Sequence, residues 1–197
     1  MPAIHSPRTP RSGLLLAVLV ATLSVAMAGC GSDSGGDSSA TAPLPVLPAS
    51  ALAGLTTVDS SLSAVDLTHD APIAGFADRL SQWGYRDGTQ RVFRGSTGDF
   101  TNVVSRTLEF GSAEGASAYV RLVDSRVADF YGRGSKVTPL SQGGRTGYLI
   151  RAAPCGCHRE TPVLLAVLSA GARVTWLYGT GPGARPARLR ALLPQAP

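Results

Sequence analysis

The stretch Thr161–Tyr178, TPVLLAVLSAGARVTWLY, decides the architecture. Val163 to Leu168 are apolar without a break. A strand with one wet face alternates apolar and polar residues, whereas this one is apolar on both faces, as a strand covered from both sides would be. Ser169-Ala170-Gly171-Ala172 supplies a turn, and Arg173 to Tyr178 reads as a second strand with Val174, Trp176 and Tyr178 on one side. The pair is a tight hairpin, so the sheet is antiparallel here. A sheet covered on both faces needs helices from both flanks of that hairpin.

The pattern contains them. Downstream, Pro186 opens a helix carrying Leu189, Leu192 and Leu193. Upstream, Ser112 caps an amphipathic run in which Ala116, Val120, Val123, Val127 and Phe130 step by four and three, Tyr119 widens the stripe, and Gly132 and Gly134 end it. Earlier still, Asp70 as N-cap and Pro72 in the first turn precede Ile73, Phe76, Ala77, Leu80 and Trp83, which predicts a helix over Ala71–Trp83 closed by Gly84. Further strands are predicted at Gln90–Arg94, Phe100–Phe110, Lys136–Thr138 and Thr146–Ala152, with Asp87-Gly88 as a turn. Phe100, Val104, Leu108 and Phe110 are expected on one face. Arg106 shares that face, so part of it should be edge or solvent-facing. Residues 51–69 carry no firm element. Helices between groups of strands give an α+β fold, with a mainly antiparallel sheet of about five to six strands packed with three helices.

The rest of the 197-residue chain is organised around this domain. Arg8 and Arg11 form a positive leader without an acid, and Leu14 to Ala28 is a nearly unbroken apolar run. Fifteen residues of helix reach roughly 22 Å, short of the ~30 Å hydrocarbon core, so the run suits an export signal better than a permanent span. Gly31–Ser50, GSDSGGDSSATAPLPVLPAS, is rich in Gly, Ser, Ala and Pro and reads as a flexible tether. The expected division is therefore a signal over 1–29, Cys30 and tether over 30–50, and one extracytoplasmic domain over 51–197.

Met27-Ala28-Gly29-Cys30 resembles the bacterial lipobox, with Met27 where Leu is commonest. The resemblance implies a diacylglycerol thioether on Cys30, cleavage before Cys30, and a chain held on the lipid bilayer at the outer face of the cytoplasmic membrane. Two or three acyl chains anchor stably, each buried CH₂ contributing about 0.8 kcal/mol. In the domain, the run FGSAEGASAYV, the GYLIR strand, the apolar hairpin and the final helix look like small actinobacterial lipoproteins of uncharacterised function with a PsbP-like α/β/α sandwich. That domain type is also seen in extracellular sensor domains of some bacterial kinases. The resemblance covers roughly residues 70–195 in element order and implies a non-enzymatic role; it carries no site residue across.

The net charge of +5 does not point to nucleic acid. The 17 Arg and the single Lys136 are scattered and interleaved with acids, whereas a nucleic-acid footprint needs clustering. No G-x-S-x-G elbow or zinc spacing occurs, and no motif asks for a cofactor. A hydrolase would have to use His69 or His158, since His5 lies in the signal. Cys155-Gly156-Cys157-His158 admits three readings: a strained disulfide between Cys155 and Cys157, soft-metal capture by both thiolates with His158, or simple loop decoration. The exported setting favours the disulfide. The Gly179–Gly183 run, GTGPG, mimics part of a phosphate-binding turn, but Pro182 removes an amide donor. Trp83, Tyr85, Phe93, Trp176 and Tyr178 are the aromatics that could line a cleft. The expected function is a lipid-anchored, non-catalytic binding or sensing domain for an unknown protein or small apolar ligand. A lipid or small apolar ligand carrier and an extracytoplasmic hydrolase are the alternatives.

Overall fold

The computed structural model describes residues 42–71, 73–153 and 161–197. The signal, Cys30 and the proximal tether lie outside the described residues, as do Pro72 and the Cys155, Cys157 and His158 group.

Seven strands form one sheet in the order β1-β2-β3-β7-β6-β5-β4, every neighbouring pair antiparallel. They are β1 (Thr56–Ser61), β2 (Tyr85–Arg94), β3 (Asn102–Phe110), β4 (Lys136–Gln142), β5 (Arg145–Arg151), β6 (Val163–Ala170) and β7 (Arg173–Thr180). The α+β class and the antiparallel sheet agree with expectation, but the sheet has seven strands rather than five to six. The extra strand is β1. Its sequence TTVDSS is exposed throughout on the sheet's edge, so it has no buried alternation to announce it.

Five α-helices are described rather than three: α1 (Ala64–Asp70), α2 (Phe76–Gln82), α3 (Ala113–Ser125), α4 (Val127–Tyr131) and α5 (Pro186–Leu192). α1 is fixed by a reciprocal cap. Ser63 Oγ accepts from the Asp66 N–H at 3.2 Å, and the Ser63 N–H donates to the Asp66 carboxylate at 2.7 Å. The helix expected over Ala71–Trp83 is the shorter α2, because Asp70 ends α1 instead of capping its successor. The long helix after Ser112 is broken at Arg126 (φ −113°, ψ 13°). Ser125 Oγ donates to the Leu122 carbonyl at 2.9 Å, a side-chain bond that competes with the regular ladder. The break sets Phe130 and Tyr131 at a new angle. Asp87-Gly88 is not a turn. It lies in β2 where the pairing slips, and a Cβ on Gly88 would meet the Tyr85 hydroxyl at 2.6 Å.

The sheet is covered on both faces, as residues 163–168 require. One apolar cluster takes Phe93, Val103, Leu149, Leu164, Ala166, Leu168 and Leu177 from the strands and Leu189, Leu192 and Leu193 from the C-terminal segment. The other takes Leu108, Phe110, Ile150, Leu165, Val167 and Val174 and packs them against α1–α4. Phe100 belongs to the first cluster, opposite Leu108 and Phe110, because it lies in the loop before β3 and outside the strand's alternation.

The first face also gathers residues 44–52. Leu47 is fully buried and Leu44 nearly so. The Leu47 N–H donates to Ser105 Oγ at 3.0 Å, Thr107 Oγ1 donates to the Pro45 carbonyl at 2.5 Å, and Arg91 Nη1 donates to the Leu47 carbonyl at 3.1 Å. The distal part of the expected tether is thus a strap on the sheet, and the packed domain starts near Leu44 rather than Ala51. Proline stiffness explains how so linker-like a stretch can dock. Pro43, Pro45 and Pro48 reduce the freedom lost on ordering, and two leucines supply the buried area.

Candidate functional site

The strand register sets a row of side chains across the helix-covered face: Ser60, Gln90, Arg106, Trp176, Val167 and Tyr148. Arg106 is therefore interior to the sheet, between β2 and β7, and its side chain is 14% exposed. This corrects the expectation that its surroundings are edge or solvent. Three contacts hold the guanidinium there. Its Nη2 pairs with Asp70 at the end of α1, and its Nε donates to Gln90 Oε1 at 2.7 Å. Its Cζ stands 4.7 Å from the centroid of the Trp176 ring, a cation–π contact.

Trp176 and Tyr178 stack nearly parallel, with centroids 6.0 Å apart. With Leu67, Ala71, Tyr119, Val123, Phe130 and Tyr131 they enclose a cleft of about 200 Å³ whose polar wall is Asp70 and Arg106. Each element contributes for a local reason. α1 ends in Asp70, the Arg126 break turns α4 so that Phe130 and Tyr131 face the opening, and β3 and β7 form the floor. Tyr119 is 6% exposed and rests on Phe110 and Phe76, with centroids at 5.6 Å and 6.4 Å. Among the described residues neither its hydroxyl nor that of Tyr131 has a hydrogen-bond partner. Burial pushes Tyr119 up to about 12 and raises Tyr131 as well, so both phenols remain protonated donors.

A second depression, of about 380 Å³, lies on the other side of the ion pair and is lined by Ser60, Ser61, Asp66, His69 and Gln90 as well as Asp70 and Arg106. The pair is the partition between the two. His69 thus has acids and serines near it, but the acids are committed: Asp66 caps α1 with Ser63, and Asp70 holds Arg106. A wider hollow of about 440 Å³ beside β4 and β5 is lined by Ser117, Ser141, Thr146 and Ser169, with Arg121 its only charged residue. Among the described residues no group of three or more His, Cys, Asp or Glu could hold a metal.

Of the aromatics singled out in the sequence, Trp176 and Tyr178 line the cleft. Phe93 is buried on the opposite face, and Trp83 and Tyr85 pack against the helix-side core. The GTGPG run is accounted for by packing. A Cβ on Gly181 or Gly183 would strike the backbone of residues 98–101 at 2.5–2.8 Å. The cleft's other members come from separate elements, so no local pattern brings them together; Tyr119, Val123 and Phe130 read only as the apolar stripe of a helix. The usable signal was Arg106, an arginine on an otherwise apolar strand face.

No family model matches the chain, and no curated protein matches it. Among solved structures it is similar to the extracellular domain of PknH from Mycobacterium tuberculosis, at 10% identity over 71% of this chain and 79% of that one, with a TM-score of 0.44. Among the described residues no helix is long and apolar enough to cross a membrane.

Proposed function

We propose that this chain is a lipid-anchored extracytoplasmic domain that binds a small molecule rather than transforming one, and that its working site is the cleft over β3 and β7. The observation that carries the reading is the convergence in one small cleft of an arginine, the phenols of buried Tyr119 and partly buried Tyr131, and stacked aromatics. Apolar walls with a few fixed polar groups are the usual make-up of a ligand site. The cleft, about 200 Å³ and open to solvent on one side, has room for a small ring or branched acid. Anchoring is supported by the leader and by the lipobox ending at Cys30.

Two measurements test this. In cell fractionation, Cys30→Ala should leave the membrane fraction or accumulate unprocessed; unchanged processing and membrane retention would overturn the anchor. In a thermal-shift screen of small acids, amides and amines, stabilising compounds should lose their effect in Trp176→Leu and keep it in His69→Ala. The reverse pattern would move the site to the His69 depression and favour the hydrolase.

A further inference from the structure

We infer that the cleft takes a small organic carboxylate on a planar or branched apolar body, and that this carboxylate replaces Asp70 as the partner of Arg106. The inference rests on the binding reading above and names its ligand class.

The polar groups facing the cleft are unequal in kind. Arg106 can only donate, the Tyr119 and Tyr131 hydroxyls can donate or accept, and Asp70 is the one carboxylate among the lining residues. An added cation would meet Arg106, and an added neutral donor would find, besides the engaged Asp70, only phenol oxygens, which accept without the help of a charge. An added pair of carboxylate oxygens would find a guanidinium and two hydroxyls without partners among the described residues. Charge-assisted bonds of that kind are the strong ones.

Asp70 is the weak member of its own pair. Its side chain is 50% exposed while that of Arg106 is 14% exposed, so release returns Asp70 to water with little cost. It is also the last residue of α1, where the helix's unpaired carbonyls disfavour an acid. Since the pair separates the cleft from the His69 depression, exchange of Asp70 for a ligand would join the two and free the end of α1 from the sheet. Occupancy of the cleft would thus be read out in the position of α1.

The test uses the full chain and three probes of one shape: benzoate, benzamide and benzylamine. The readout is the Trp176 indole N–H resonance, distinguished from that of Trp83 by a Trp83→Phe variant. Benzoate should shift it saturably, and benzamide should bind at least tenfold more weakly. Asp70→Asn removes the internal competitor and should tighten benzoate several-fold, while Arg106→Gln should abolish the response with the amide fingerprint of the fold intact. Should Arg106→Gln fail to fold, Tyr131→Phe should still weaken benzoate relative to benzamide. Benzylamine or benzamide binding without benzoate, or weaker benzoate binding in Asp70→Asn, would overturn the ligand class and leave the binding site standing. No response to any probe would overturn both.

Discussion

Ser105 and Arg106 are neighbours in β3 and point to opposite faces of the same sheet, yet their surroundings have been solved in opposite ways. On the Ser105 side the buried polar groups bind the chain's own ends. Ser105 and Thr107 hold the strap at Leu47 and Pro45, while Thr175 donates to Pro197 O. Arg145 donates to the carbonyls of Leu193 and Ala196 at 2.6 and 2.7 Å. These polar groups act as rungs and are spent within the fold. On the Arg106 side the pairing is incomplete: half-exposed Asp70 closes one side of the guanidinium, and two phenols face a void. A buried polar group that is fully satisfied fixes structure, whereas one with spare capacity can recognise something from outside.

The largest test of this contrast is a charge in the sealed face. Leu177 is fully buried in the cluster that also holds Leu47 of the strap and Leu189 of α5, and Leu177→Asp should cost about 4 kcal/mol or more and prevent stable folding. A near-normal melting temperature would mean that this face is open. Next, Leu47→Ala should cost about 3 kcal/mol in urea unfolding, as expected for a buried leucine. A change below about 0.5 kcal/mol would return residues 44–52 to the tether.

The third test separates the faces by pH. Tyr119 is held protonated up to about 12, against an ordinary value of 10.0, with Tyr131 and Tyr85 also raised by burial. Between about pH 10 and 12 the unfolded chain loses protons that the folded chain keeps, so stability falls as pH rises through that window and is fully present below it. Tyr119 alone should account for about 2 kcal/mol of the fall, and Tyr119→Phe should flatten the alkaline limb of a denaturation series. An unchanged limb would place the phenol in water.

The smallest expected effects form a pair. Ser105→Ala strands the Leu47 N–H and should cost about 1–2 kcal/mol, whereas Arg106→Met returns exposed Asp70 to water and should change stability by less than about 1 kcal/mol. Equal costs, measured by the same unfolding curves, would erase the distinction between structural rung and binding group.

The helix-side core and the hairpin were legible because they are periodic. Val163–Leu168 announces a doubly covered strand, and Ala116, Val120, Val123 and Val127 announce one helix, which the break at Arg126 divides into α3 and α4. β1 was not, since an exposed edge strand has no face to bury. The Ser63-x-x-Asp66 cap of α1 is visible in the sequence but has no apolar stripe behind it, since only Leu67 of that short helix is buried. The strap was hidden for a different reason. Its composition is that of a linker, and its docking depends on Ser105, Thr107 and Arg91, which come from distant strands. The cleft is half legible: Trp176 and Tyr178 stand out as aromatics on one strand face, while Asp70 has the pattern of a helix cap and Arg106 that of a solvent-facing residue.

The strand order carries a kinetic consequence. β1, β2 and β3 form one run of neighbours, β4 to β7 form another, and they meet along the single seam between β3 and β7. Pairs within each run are near in sequence, but the seam closes a long loop that contains α3 and α4. Closing such a loop is slow relative to forming hairpins, so the two runs should assemble before they join. Arg106 and Trp176 face each other across that seam. The proposed binding cleft therefore comes into being with the last long-range contact, and an occupant should lengthen the lifetime of the native state by retarding unfolding while leaving the refolding rate nearly unchanged.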